Sequence, residues 1–577
     1  MSDEPLRAAL APWLRLLARR PRRLVIGVLL LALTLFSAIG LLALSGWFIA
    51  ASALTGLGLA MGLAVSLDVY VPGGGIRFFA LSRTVARYGE RLYNHDTVLR
   101  LLADLRGRLF AAMAALDDRS LARQRASDWL NRLTADIDTL DSLYLRLLAP
   151  PLVALAAVVL VAAFVALWVP LAGVALLALL LPAWAWLTAG QAWLGMAASR
   201  RQVEHQQRLR SQAIEHLTGL AELEAYGSQA WHRAGLRQYE AGLYRDQRRT
   251  GRVAAFGSAL VNLVVGLGVV MALWLAALAW QQGSIGGAVM VMLPLAVLAV
   301  GEALALLPGP FTQLGATRGA AVRLNAVERA SGNGFGKGDA SLPGGPLAVR
   351  LEDIGLHYPA ALTPALRDIQ LELSPGERLA LTGASGAGKS SVAALLTRRL
   401  PPDHGSIMVG GVPLAQVAER SLRERVAILG QRIDLFQDSL ATNLRLAAPD
   451  ASDARLWQAL DWVGLAEWGD TLPHGLATAV GEGGRALSGG QARRLALARL
   501  WLRDPGLVIL DEPFAGLDAA TVARLSSRLD RWLVGRSVLY LVHQLDGGAF
   551  DPPSISRERR LVEGQLTVCA NSMYPSG

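Results

Sequence analysis

The chain has 577 residues, of which 53% are hydrophobic and only 18% charged, with a formal net charge of +10. The length exceeds one domain, and the charged share falls well below the roughly 25% typical of soluble globular chains. A soluble single-domain protein is therefore a poor fit. A nucleic-acid binder fits no better, because the arginines sit beside long apolar runs, as in cytoplasmic loops of membrane proteins. The single cysteine, Cys569, rules out an intramolecular disulfide.

The N-terminus carries Arg15, Arg19, Arg20, Arg22 and Arg23 ahead of an uncharged stretch, Leu24–Leu67. That stretch far exceeds the h-region of a signal peptide, about 7–15 residues, so it reads as a retained membrane segment with its basic flank inside. Two further charge-free windows follow, Leu147–Ser199 and Val253–Gly301. A spanning helix takes about 20 residues, so each of these holds two spans, one pair breaking near Trp168–Pro170 and the other near Gln281–Gly287. The first window is read as one span over about Leu24–Gly46, then loop and the start of another helix. A polar second helix from about Pro72 brings the expected total to six. The charged segments Arg77–Arg146 and Arg200–Arg252 read as helices continuing into the cytoplasm, with bends that reach the soluble domain.

Arg83, Arg87, Arg91 and His95 recur every four residues on the polar second helix. They form either a cationic lane for an anionic cargo, with His95 a candidate metal or haem-iron ligand, or a stretch that is already cytoplasmic and obeys the positive-inside bias. Glu302, ending an apolar span, is either a cavity residue or a helix-packing anchor. The Gly/Ser/Pro-rich run Ser331–Pro346 reads as a flexible linker. Domain boundaries are accordingly expected at 1–328 for the membrane domain, 329–346 for the linker and 347–577 for a soluble α/β domain.

In the soluble part, GASGAGKS (Gly383–Ser390) lies between a predicted strand, Arg378–Thr382, and a predicted helix, Ser390–Leu400. This is the context of a Walker A loop. Gly383, Ser385, Gly386 and Gly388 are expected to bind the nucleotide, with the backbone N–H groups of Gly386 to Ser391 pointing at the phosphates at the helix N-terminus. Lys389 is one of only two lysines, with Lys337, and is expected to neutralise the β/γ-phosphate oxygens, while Ser390 ligates Mg²⁺. In LVILDEP, Asp511 is the expected second Mg²⁺ partner and Glu512 the general base. Gln431 of ILGQRIDLF is placed to sense Mg²⁺ and the attacking water, and His543 of YLVHQ to hold the γ-phosphate. Tyr358 either stacks on adenine or is a core tyrosine.

The segment LSGGQ, with Ser488, Gly489, Gly490 and Gln491, falls between the two Walker motifs and resembles the signature of the ABC ATPases. The resemblance implies that it completes a nucleotide site on a facing ATPase domain, and that Asp518 of AGLD communicates across that pair. The expected fold is thus an all-α, six-helix, exporter-type transmembrane domain followed by an α/β P-loop ATPase domain that uses ATP and Mg²⁺.

Four stretches are more specific: GLLALSGWFIAASAL (Gly40–Leu54), RYGERLYNHD (Arg87–Asp96), TADIDTLDSLYLR (Thr134–Arg146) and GEGGRALSGGQARRLALAR (Gly481–Arg499). On these the chain resembles the CydC family, one half of the heterodimeric CydDC transporters of bacterial inner membranes. The resemblance implies pairing with a CydD-like subunit and export of cysteine and glutathione in support of cytochrome bd assembly. Haem is implied as an alternative cargo or regulator, with His95 as its ligand and Arg91 beside it. Rival readings are a homodimeric lipid, drug or peptide exporter and a haem-binding sensor whose ATPase gates a partner. The segment after Gln544 keeps a hairpin, Arg560–Val568, and is expected to lack the usual final helix.

Overall fold

A computed structural model describes residues 4–122, 126–332, 338–359, 361–481, 484, 486–548 and 550–567. These fall into two compact units, one of residues 4–115 and 126–332, the other of residues 116–122 and 338–567.

The first unit is helical. Five of its helices are long and apolar enough to cross a membrane: Pro21–Ala60, Asp128–Trp168, Pro170–Thr218, Gln229–Gln281 and Gly287–Thr312. The breaks fall where the sequence places them. Val169 leaves the helical region, at φ −136° and ψ 89°, ahead of Pro170, which opens the next helix, as the steric clash of proline with its predecessor favours. The other break, after Gln281, turns through Gly283 at φ 74°.

The first apolar window departs from expectation. Instead of a span ending near Gly46 followed by loop, one helix of 40 residues runs unbroken from Pro21 to Ala60. Its glycines mark close helix approach rather than chain reversal. A Cβ on Gly46 would lie 2.1 Å from Leu295 Cδ1, and one on Gly40 would lie 2.7 Å from the Phe79 ring. Small residues at such crossings are how membrane helices pack. The polar second helix, Tyr70–Ala114, lacks a sufficiently apolar window but lies along the first: Ser37 Oγ is 3.0 Å from Ser82 Oγ, and Arg23 Nη1 donates to Asp96 at 2.6 Å. Asp68 caps its start by accepting from Tyr70 N at 2.8 Å.

The core of this unit is a continuous apolar cluster with Val158, Leu176, Leu180, Ala272, Leu293 and Leu304 fully buried. One charged pair is buried as well. Asp136, 1% exposed, receives Arg323 Nε at 2.8 Å and Nη2 at 2.6 Å. Removing one member of such a pair strands a buried charge, so Asp136→Ala is expected to lower stability by about 3–5 kcal/mol. A drop in melting midpoint of several degrees checks this. The double change to methionine should recover part of the loss.

The second unit carries two sheets. The antiparallel one runs, in spatial order, Leu366–Leu373, Val349–Leu356, His404–Val409 and Val412–Pro413. The other runs Gln565–Thr567, Arg557–Val562, Arg378–Thr382, Ser537–Val542, Leu507–Asp511 and Val426–Leu429. Its strands pair in parallel except for the terminal hairpin. Arg378–Thr382, Leu507–Asp511 and Ser537–Val542 are buried along their whole length, as parallel strands covered on both faces must be. The short helix Asp118–Ala122 belongs to this unit: Arg119 Nη1 donates to Asp403 at 2.8 Å, and Arg399 Nη2 pairs with Asp118 at 2.7 Å.

The second half of the segment read as flexible linker is tied down. Ala340 N donates to Gln416 O at 3.0 Å, Leu342 N to Ser421 Oγ at 2.9 Å, and Arg425 binds Gly345 O. Backbone bonds to a folded edge override the glycine-rich composition there. Lys337 and Cys569 lie outside the described residues. The terminal hairpin begins at Arg557, three residues before the predicted start, because Arg557–Val562 joins the sheet beside Arg378–Thr382. The stretch beyond Thr567, where a final helix is expected to be missing, also lies outside the described residues.

Candidate nucleotide site and membrane cavity

The strand Arg378–Thr382 delivers the chain into the glycine-rich loop at the end of the parallel sheet, the place where open α/β sheets bind ligands. Gly386 and Gly388 adopt φ of 82° and 110°, and a Cβ on Gly388 would lie 2.6 Å from Ala365 O. Only glycine fits there. The helix Lys389–Leu396 then starts with its N-terminal amides facing the loop. Lys389 is 7% exposed, and its Nζ donates to Gly383 O and, at 2.9 Å, to Ala384 O. Burial pulls its ammonium below the ordinary lysine pKa, opposed by Glu512 and Asp511.

The two Walker segments meet. Ser390 Oγ donates to Asp511 Oδ2 at 3.1 Å, and burial pushes the Asp511 carboxyl above its usual range. A serine hydroxyl and a carboxylate oxygen at hydrogen-bond distance, beside a phosphate loop, form a donor set suited to Mg²⁺. Glu512 follows with a left-handed backbone, φ 48°. Its N–H donates to Leu541 O at 2.9 Å, and its Oε1 lies 3.1 Å from His543 Nε2. His543 in turn accepts from Gly383 N through its carbonyl, at 3.1 Å. Tyr358 leans on the core of this unit, with its hydroxyl 3.2 Å from Ser391 Oγ. Ser385 and Gly386 are exposed at the loop tip.

Gln431 is exposed, and its carbonyl accepts from Arg493 Nη2 at 3.1 Å. Arg493 escaped the sequence reading. It comes from the helix that Ser488 opens, and it also donates to Gly430 O and Asp511 O, both at 3.3 Å. Only a surplus arginine after LSGGQ hints at it.

The signature residues are occupied with capping. Ser488 Oγ accepts from Gln491 N at 3.2 Å, and Gln491 Oε1 accepts from Ser488 N at 2.8 Å, a full capping box. Gly490 packs close to Gly516 O, and Gly489 faces open space. Asp518 caps the helix Ala519–Trp532, accepting from Thr521 N at 2.9 Å and Thr521 Oγ1 at 2.7 Å. Those two bonds hold its carboxyl below the usual range. Among the described residues no bond joins LSGGQ to the phosphate loop of the same chain.

In the helical unit, a cavity of about 640 Å³ is lined by Arg87, Arg91 and Arg146 together with Glu90, Asn94 and Glu302. Arg83 instead pairs with both oxygens of Glu302, at 3.0 and 2.9 Å. Asn94 Nδ2 donates to Glu90 at 2.8 Å, leaving its buried Oδ1 without a partner. His95 is exposed and does not line the cavity, so the described residues do not enclose a haem at it. The helix explains the split: each four-residue step turns about 40° past a full circle, and Arg83 to His95 accumulates about 120°. Arg146, from another helix, is the cavity cation that the spacing argument missed.

A membrane-helix unit joined to a Walker-type ATPase unit is the plan of an ABC exporter. The ABC transporter transmembrane region family matches residues 24–299, and the ABC transporter family matches residues 366–515. The chain is 36% identical over 553 residues to the glutathione/L-cysteine transport system ATP-binding/permease protein CydC of Escherichia coli (strain K12), covering 93% of each. It is 31% identical to the corresponding CydD protein of Bacillus subtilis (strain 168), over 91% of this chain and 90% of that one. The structure of a bacterial Atm1-family ABC exporter with ATP bound superimposes with a TM-score of 0.78 over 95% of both chains, at 21% identity. The chain belongs to the ABC transporter family, in its CydC branch. It is an ATP-hydrolysing transporter, embedded in the membrane by several helices, with its ATPase unit in the cytoplasm.

Proposed function

We propose that this chain is the CydC-type half of a heterodimeric exporter that moves thiol reductants, cysteine and glutathione, out of the cytoplasm of a bacterium in support of cytochrome bd assembly. In this reading ATP is clasped between the Walker residues of one subunit and the LSGGQ segment of a CydD-like mate. Lys389 neutralises the phosphates, Ser390, Asp511 and Gln431 hold Mg²⁺, and Tyr358 flanks the base. Glu512, steadied by His543, takes the proton of the attacking water. Ser488 to Gln491 and Asp518 serve the facing subunit's nucleotide.

The observation that carries the cargo class is the chemistry of the membrane cavity. Arg87, Arg91 and Arg146 suit carboxylates, while Glu90 suits an ammonium. An amino-acid-like zwitterion meets both signs of charge, and the apolar part of the lining, with Leu31, Leu35, Leu145 and Leu306, packs the rest of the cargo. Each charge-assisted contact is worth about 1.5–3 kcal/mol, so replacing Arg87 and Arg91 together by glutamine is expected to cut thiol flux at least about tenfold, with ATP binding retained. Flux in proteoliposomes holding both subunits, offered cysteine, glutathione and haem separately, is the test. An active homodimer moving lipid instead would overturn the proposal.

Haem as cargo or regulator is the second reading, and it rests on His95 and the family resemblance. An exposed imidazole needs the mate to enclose the ring. Haem titration of the paired subunits should give a Soret band that His95→Ala removes; its survival rejects ligation by His95.

A further inference from the structure

The signature helix, Gly489–Trp501, carries several arginines that end on backbone carbonyls. Arg494 reaches Gly464 O at 2.9 Å, and Arg499 reaches Asn443 O at 2.8 Å. Arg493 differs in where it ends and how deeply it is buried. At 7% exposure its guanidinium bridges Gly430 O, Gln431 O and Asp511 O. Three segments distant in sequence thus share one fork of donors: the signature helix, the loop before the Mg²⁺-sensing glutamine, and the end of the Walker B strand.

The Asp511 carbonyl matters most. It belongs to the same planar peptide as the Glu512 N–H, and that N–H is held by Leu541 O at 2.9 Å. Arg493 therefore clamps one edge of the peptide and the neighbouring strand clamps the other. Glu512 sits at φ 48°, a conformation that costs a side-chain-bearing residue energy and persists only when its surroundings impose it. The tilt of this peptide sets where the Glu512 carboxylate points.

We propose that Arg493 is a positioning residue that couples the chain's LSGGQ segment to its own nucleotide site, turning movement of the signature helix into alignment of Glu512 and Gln431. A nucleotide engaged by the facing subunit's Walker loop pulls on Ser488 to Gly490, and five residues along the same rigid helix the guanidinium moves with it. A lysine has only a point of donors and cannot span three carbonyls as a planar fork does. A glutamine is shorter and uncharged. Neither keeps the three segments in register.

The inference rests on the roles given above to Glu512 and Gln431, and the test separates the two. The full-length chain, purified in its ATP-hydrolysing assembly, is compared with Arg493→Lys, Arg493→Gln and Glu512→Gln for ATP affinity, KM, kcat and melting midpoint. The expected result is a kcat lowered about tenfold in Arg493→Gln and by a smaller factor in Arg493→Lys, with KM and ATP affinity within about twofold in both. An unchanged kcat overturns the proposal. So does a joint collapse of affinity, kcat and melting midpoint in both variants, which marks a purely structural residue. Undiminished turnover in Glu512→Gln instead removes the catalytic reading on which the proposal stands.

Discussion

Glu512→Gln is expected to reduce ATP turnover by at least about a hundredfold while leaving nucleotide binding intact. The substitution preserves the size of the side chain and imposes no new demand on the left-handed backbone at φ 48°. It removes the negative charge that the proposed general base needs to accept a proton from water, and general-base catalysis contributes about 10²–10⁴-fold. The arrangement around the residue supports this role. His543 Nε2 lies 3.1 Å from Glu512 Oε1, which orients the carboxylate. Both the strand carbonyl of Leu541 and the guanidinium of Arg493 fix its backbone. A variant that binds ATP but holds it unhydrolysed, seen as stable nucleotide occlusion in the paired subunits, is the expected signature. Turnover within a few-fold of the parent removes Glu512 from the mechanism.

Lys389→Ala is expected to weaken ATP affinity by about 10–100-fold, corresponding to the 1.5–3 kcal/mol of a charge-assisted hydrogen bond. The ammonium bonds Gly383 O and Ala384 O, within the loop itself. Phosphate binding exchanges those neutral carbonyls for anionic oxygens, and burial makes that exchange more favourable because the charge is poorly solvated. Alanine also strips the loop of its internal donor, so both the binding energy and the loop's preorganisation fall. Arginine is a poor rescue, since a forked group does not fit where the lysine is 7% exposed. Equilibrium binding of ATP checks the prediction, and an unchanged dissociation constant contradicts the phosphate role.

Much of this site is legible in the sequence because a phosphate loop is a local object. The strand, the left-handed glycines, the lysine and the helix start occupy consecutive positions, and each has a backbone reason to be what it is. The break at Val169–Pro170 is legible on the same ground, since proline acts on its immediate neighbour. The loop expected after Gly46 is the instructive miss. A glycine signals either a chain reversal or a close neighbour, and only the presence of Leu295 against it decides which.

What the sequence by itself determined, then, is the chemistry carried by contiguous residues: a phosphate loop, a signature segment, and apolar runs long enough to cross a bilayer. Tertiary structure alone decided which charges meet. Arg83 finds Glu302 across 219 positions, Asp136 finds Arg323 across 187, and Arg493 gathers carbonyls from two separate segments. It also turned His95 away from the cavity that Arg87 and Arg91 share. Local backbone rules act over a few residues and are written in the order of the chain. The pairing of buried charges depends on which helices and strands pack side by side, and no short spacing encodes that.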